Sequence, residues 1–202
     1  MILVTDDLPS APWKNGGGST RELLRRPSLH RGAADWRVRV SVADITADGP
    51  FSPFPGVTRH FAVLSGAGVG LAWPDGRAVE QRTGDGALVF DGAAAPEARL
   101  LDGPTRDLNV MVRDGARAAL HPAHWRAPWR ADGHARALFT RQPAVLRRKD
   151  DAPLSLPGFA LFWQDDPDAQ AWTLVPASNA PADDTAPAGW WIVLDPTSSA
   201  CP

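Results

Sequence analysis

Cysteine is all but missing: the only one in 202 residues is Cys201. An internal disulfide is therefore excluded, as are zinc sites built on two or four cysteines. Cys201 itself reads as a frayed terminal thiol. Lysine is nearly as scarce, with only Lys14 and Lys149, and tyrosine is absent. Together with abundant Ala, Gly, Pro and Arg, this reads as the codon bias of a GC-rich genome. Excess charge is lacking too. A net charge of −2 provides no field for gathering nucleic acid, and Arg147-Arg148-Lys149 is followed at once by Asp150-Asp151. No apolar run reaches the roughly 18 residues of a membrane-spanning helix. The start, Met1 to Asp7, has neither the basic region nor the apolar stretch of a signal peptide. The expectation is a soluble cytoplasmic chain with no nucleic-acid or membrane partner.

What is present points to β-structure. A hydrophobic content of 44% allows a substantial core, in one large domain or two small ones. Twenty prolines and eighteen glycines cut the chain into short apolar runs suited to strands. A sandwich or barrel is expected. The clearest alternation runs from Trp36 to Ile45: Trp36, Val38, Val40 and Val42 point to one side, and Arg37, Arg39, Ser41 and Ala43 to the other. Further strands are predicted at 61–64, 68–73, 87–90, 98–101 and 108–113. After a loop-like stretch at 121–129, more are predicted at 137–140, 159–163, 172–175 and 190–194. The segment 177–189 is predicted as a surface loop, and 20–26 reads as either helix or strand. Nine tryptophans supply large core or pocket-wall residues.

Three motifs stand out. In Pro12-Trp13-Lys14-Asn15-Gly16-Gly17-Gly18, three glycines let the backbone approach a partner closely and expose amide N–H groups beside Lys14 and Asn15. It could cradle an anion or be a plain turn before a strand; the ending of a phosphate loop is missing. Asp48-Gly49-Pro50-Phe51-Ser52-Pro53-Phe54-Pro55-Gly56 reads as a rigid aromatic turn whose rings plug one end of a barrel, leading into Arg59 and His60. In the third, Asp107, Asn109, Met111 and Arg113 share one face and Leu108, Val110 and Val112 the other. Asn109 then either lines a pocket or satisfies backbone groups.

These motifs, with Arg39-x-Ser41-x-Ala43 between the first two, resemble the HutD/Ves family in order and spacing from about residue 3 to residue 115. Afterwards only length and β content agree. The resemblance implies an all-β bicupin of the RmlC-like jelly-roll type: a first cupin-like β-barrel at 1–115 and a second, degenerate one at 116–202. It implies a bacterial protein, in one branch encoded beside histidine-degradation genes and suspected of binding an intermediate such as formylglutamate. Two positions depart from the family: Asp114 follows Arg113 where a second basic residue is frequent, and Val38 stands where an aromatic often precedes the Arg-x-Ser motif.

Metal-binding cupins resemble one another in a His-x-His pair, a Glu and a later His. Here only His60 appears, followed by Ala62, and the later strand offers Asn109, so neither metal nor cofactor is expected. His121 and His124, with Asp132 and His134 downstream, leave a metal site in the second half as a minor alternative to solvated histidines. No nucleophile elbow is present. The expected function is metal-independent binding of a small polar ligand, a carboxylate, by Lys14, Asn15, Arg39, Ser41, Arg59 and Asn109, with a regulatory role in histidine utilisation or stress response. Arginine pairs with a carboxylate through two parallel hydrogen bonds. A buried Arg39 would need either that ligand or a partner such as Asp44 or Asp107. The alternatives are an isomerase or epimerase using His60 as base, and a protein–protein adaptor; a homodimer is left open.

Overall fold

The computed structural model describes residues 1–27, 36–131, 135–165, 170–178 and 186–195. The chain divides into two compact units: Leu8–Ala116, and Met1–Asp7 together with Arg117–Pro202. Among the described residues, regular structure is strand throughout, apart from one 3-10 turn at Thr5–Asp7.

After β1 (Ile2–Val4), which belongs to the other unit, the unit Leu8–Ala116 contains β2 (Ala11–Pro12), β3 (Gly18–Arg26), β4 (Val38–Ile45), β5 (Gly49–Pro50), β6 (Val57–Ser65), β7 (Val69–Ala72), β8 (Ala78–Gln81), β9 (Leu88–Asp91), β10 (Glu97–Leu100) and β11 (Thr105–Arg113). They form two antiparallel sheets, β2-β3-β4-β11-β6-β9 and β5-β10-β7-β8. Ile45, Phe61, Val63 and Phe90 of the first sheet pack with Val69, Leu71 and Ala98 of the second and with Trp73, just beyond β7. The result is a jelly-roll sandwich. No ladder among the described residues closes it into a barrel.

The central strands β4 and β11 show why the alternation was legible. Val38, Val40, Val42, Leu108, Val110 and Val112 form one buried row. The opposite row, Arg39, Ser41, Ala43, Asp107, Asn109 and Met111, faces the sandwich interior. Cross-strand partners are on the same face, so the register Asn109 to Ser41 and Met111 to Arg39 fixes which side chains meet. The helical leaning of 20–26 gives way to strand β3. The ladder with β4 outweighs local propensity, and the register shifts between Glu22 and Leu24.

The other unit continues with β12 (Arg117–Ala123), β13 (Pro128–Trp129), β14 (Ala135–Thr140), β15 (Ala144–Arg148), β16 (Leu154–Leu156), β17 (Ala160–Gln164), β18 (Trp172–Pro176) and β19 (Gly189–Asp195). Its sheets are β1-β17-β14-β19-β12 and β13-β18-β15-β16. The stretch 121–129, expected as loop, is largely β12 and β13: Pro122 is accommodated because β12 is an edge strand. The expected loop at 177–189 lies mostly outside the described residues. Indole rings fill the interior. Trp129 stacks on Trp191 at 4.8 Å, and Trp172 packs against Trp129, Trp191 and Phe162.

The first strand shifts the expected boundary between the halves. β1 pairs with β17, Ile2 opposite Phe162 and Val4 opposite Ala160, and Thr5 binds the Phe159 carbonyl through both its amide and its hydroxyl. Residues 1–7 thus join the later unit, across a separation of about 150 residues that local pattern cannot reveal.

Candidate functional site

Inside the unit Leu8–Ala116, neighbouring strands β4, β11 and β6 bring their inward rows together. The space they leave is a cavity of about 590 Å³. All six residues singled out from the sequence line it: Lys14, Asn15, Arg39, Ser41, Arg59 and Asn109. Trp13, Ile45, Phe51, Phe54 and Met111 supply apolar wall, and no Asp or Glu is among the lining residues.

Arg59 is the unusual member. It is only 5% exposed, and its one polar contact among the described residues is a guanidinium N–H donating to Asn109 Oδ1 at 2.7 Å. Its Nε–H is buried without a partner among the described residues. The rings of Phe51, Phe54 and Phe90 surround it at 4.8, 5.8 and 5.1 Å. Burial, reinforced by the positive charge of Arg39, lowers its pKa to about 10, so the group stays cationic at neutral pH. A buried cation facing a cavity with no carboxylate opposite it is energetically incomplete.

Arg39 is differently held. Its Nε–H donates to Glu22 Oε2 at 2.7 Å, which leaves its terminal N–H groups for the cavity. Neither expected partner serves: Asp44 lies on the opposite face of β4, where Arg21 and Arg106 bind it at 2.6 and 2.7 Å, and Asp107 bonds Thr105. Asn109 accepts from Arg59 with its oxygen, so its NH₂ is the end available to the cavity. Ser41, cross-strand from Asn109, adds a hydroxyl. Lys14 is exposed. The arrangement offers N–H and O–H donors from four elements, all suited to a small anion.

The glycine loop is a turn rather than an anion cradle. The Gly16 amide donates to the Trp13 carbonyl and the Gly17 amide to Asn15 Oδ1, so those N–H groups are used inside the loop. Asn15 also donates to the Pro50 carbonyl at 3.3 Å, tying the loop to the aromatic turn. Its role is mainly to seat Lys14 and Trp13. Gly16 has φ +74°, and a Cβ on Gly18 would lie 2.3 Å from the Asp44 carbonyl oxygen. A Gly18→Ala chain is therefore expected to be less stable by about 1 to 3 kcal/mol, from overpacking against backbone. Chemical denaturation tests this; an unchanged midpoint would show that β3 and β4 can separate freely.

A family model described as HutD matches residues 5–179. The chain belongs to the HutD family. Among curated relatives, the 21.2 kDa protein of the hutC 3′ region from Pseudomonas putida is 37% identical over 111 residues, covering 55% of this chain and 57% of that one. Protein Ves from Citrobacter koseri is 35% identical over 107 residues, covering 52% and 54%. The match thus spans about half the length of these relatives. Two solved structures agree over nearly the whole chain. A conserved protein of unknown function from Pseudomonas aeruginosa PAO1 has a TM-score of 0.79 at 26% identity, covering 98% and 99%. HutD from Pseudomonas fluorescens SBW25, in a formate condition, has 0.78 at 23%, covering 96% and 97%. A mutant oxalate decarboxylase from Bacillus subtilis, at 0.60 and 9% identity over 96% and 76%, shares the cupin-type all-β fold alone.

In this HutD-family chain the weak catalytic candidate, His60, is misplaced for its role. It is cross-strand from Val110, in the row of β6 that faces away from the cavity. Alternation along β6 puts Arg59 and Phe61 inward and His60 outward. Burial lowers its pKa to about 4. His121 and His124 are exposed, while Asp132, His134 and Cys201 lie outside the described residues. No group of three metal-ligating side chains occurs among the described residues, and none of their helices is long and apolar enough to cross a membrane. Sequence reasoning missed Phe90 and Glu22: the first reaches Arg59 from β9, the second Arg39 from β3.

Proposed function

We propose that the cavity of the unit Leu8–Ala116 holds a small organic carboxylate without the help of a metal, as a binding function. One observation carries the reading: Arg59 is buried beside an open cavity with no acidic partner among the described residues. An incoming carboxylate would offset that charge and could also accept from Arg39, Ser41 and the Asn109 amide. Lys14 adds a screened charge at the exposed side. The apolar wall accommodates the ligand's carbon body.

The HutD family and the relative named for the hutC 3′ region support a link to histidine utilisation, and the ligand is placed among its small acids, formylglutamate-like, in a regulatory role; a stress-response role is the rival. The experiment is a thermal-shift screen of formylglutamate, glutamate, urocanate, histidine and simple dicarboxylates. At about 100 times its dissociation constant, a true ligand adds roughly 2.7 kcal/mol of stability. That corresponds to a rise of roughly 5 to 11 °C at this chain length. Arg39→Ala and Asn109→Ala chains are expected to lose most of the shift, since a hydrogen bond to a charged group contributes about 1.5 to 3 kcal/mol. No saturable shift with any carboxylate, or an unchanged one in Arg39→Ala, would count against the reading.

A further inference from the structure

Behind the cavity wall lies one ionised acid in contact with a lining cation. Glu22 Oε2 accepts from Arg39 Nε at 2.7 Å, while both Glu22 oxygens accept from Arg25, Oε1 from Nε at 2.8 Å and Oε2 from a terminal nitrogen at 2.9 Å. Neither Glu22 nor Arg25 lines the cavity. The register shift between Glu22 and Leu24 sets this up. Glu22 is opposite Ser41 and Arg25 opposite Arg39, both on the inward row, although the two are three positions apart. Because Glu22 grips only the Nε edge of Arg39, it does not occupy the fork that a ligand carboxylate would take. It can stay in place while the site is filled.

Resting on the anion-site reading above, we propose that Glu22 determines specificity by limiting how strongly the site favours a carboxylate with two negative charges over an equally shaped one with one. The physics is a single repulsion counted per ligand charge. Glu22 offsets part of the Arg39 charge that draws an anion in, and its own field acts on every negative charge placed in the cavity. A monoanion feels that opposition once. A dianion feels it twice, weakened for the more distant charge, so Glu22 reduces the extra attraction that Arg39 and Arg59 offer to a second negative charge. Replacing Glu22 with the neutral, equally shaped Gln must therefore help a dianion more than a monoanion. Loss of orientation at Arg39 would weaken both alike and leave their ratio unmoved.

The test is calorimetric titration with two matched pairs, terephthalate against 4-carbamoylbenzoate and glutarate against glutaramate, on the full chain. In Glu22→Gln the ratio of dianion to monoanion affinity should rise by about tenfold, the size of effect that one nearby charge has on an ionisation. Arg25→Ala, which leaves Glu22 more fully on Arg39, should move the ratio the other way, and it serves if Glu22→Gln does not fold. A ratio unchanged in the variants overturns the role of Glu22 while leaving the anion site standing. Failure of all four probes to bind the native chain overturns both.

Discussion

An Arg59→Met chain is expected to melt higher than the native protein when no ligand is present, and to give no thermal response to any carboxylate. Taking a cation out of water costs on the order of several kcal/mol. Against that stand one hydrogen bond to a neutral amide and three aromatic rings. A desolvated cation–π contact returns about 2 kcal/mol. Repulsion from Arg39 adds to the cost. Methionine fills similar space among Phe51, Phe54 and Phe90 without the charge, and replacing buried ionic groups with apolar ones of like volume stabilises by about 1 to 4 kcal/mol in favourable cases. At about 2 to 4 °C per kcal/mol, a rise of a few degrees or more is expected. Differential scanning calorimetry decides it. A clearly lower melting temperature would mean that Arg59 is a structural cation, satisfied by its rings and Asn109, with no ligand needed.

The second large effect concerns Asp107. Its side chain is fully buried in the sandwich, with the Thr105 hydroxyl donating to Oδ2 at 2.8 Å and Oδ1 unpartnered among the described residues. Burial pushes its pKa up to about 8 against the ordinary 3.8. The folded state then keeps a proton that the unfolded state releases, so stability falls as pH rises from about 4 to about 8. His60 acts in the opposite sense: burial lowers its pKa to about 4 from 6.5, so the unfolded state binds the extra proton and stability falls as pH drops through that window. Below pH 6.5 the two slopes cancel. Between pH 6.5 and 8 Asp107 acts alone and removes about 2 kcal/mol. An Asp107→Asn chain should lose that decline, and below pH 6.5 it should show the falling stability due to His60. Denaturant midpoints at pH 5, 6.5 and 8 test this; the same decline above pH 6.5 in the variant would refute the assignment.

Much of the site was legible because the two central strands alternate so strictly. In β4 and β11 an unbroken row of Val and Leu forces Arg39, Ser41 and Asn109 onto the other face, and Pro50-Phe51-Ser52-Pro53-Phe54 announces a rigid aromatic rim. The same alternation, continued one strand further, separates Arg59 from His60, yet both were kept as candidates because the start of β6 at Val57 was not read. Glu22 was hidden by its bulge: a register shift breaks the two-residue period that makes faces predictable, so Asp44 and Asp107 looked equally able to pair with Arg39. At 20–26 composition leaves helix and strand both open, and the ladder with β4 decides for strand. In the later unit, β15 and β16 were passed over because arginines and prolines interrupt their apolar pattern, and β1 finds its partner only through the fold. The family model extends to residue 179, well past the residues that carry the motifs. Tryptophan packing preserves that unit's fold with little local signature.

The central claim is that a carboxylate sits between Arg39 and Arg59, and a crystal structure with 4-bromobenzoate tests it most directly, since bromine marks the ligand by its anomalous signal. The expected result is a bromine peak inside the cavity lined by Trp13, Phe51 and Met111, with the carboxylate oxygens accepting from the Arg59 and Arg39 guanidinium groups and the Asn109 amide. A bromine peak only outside that cavity, or a carboxylate turned away from both arginines, would contradict it.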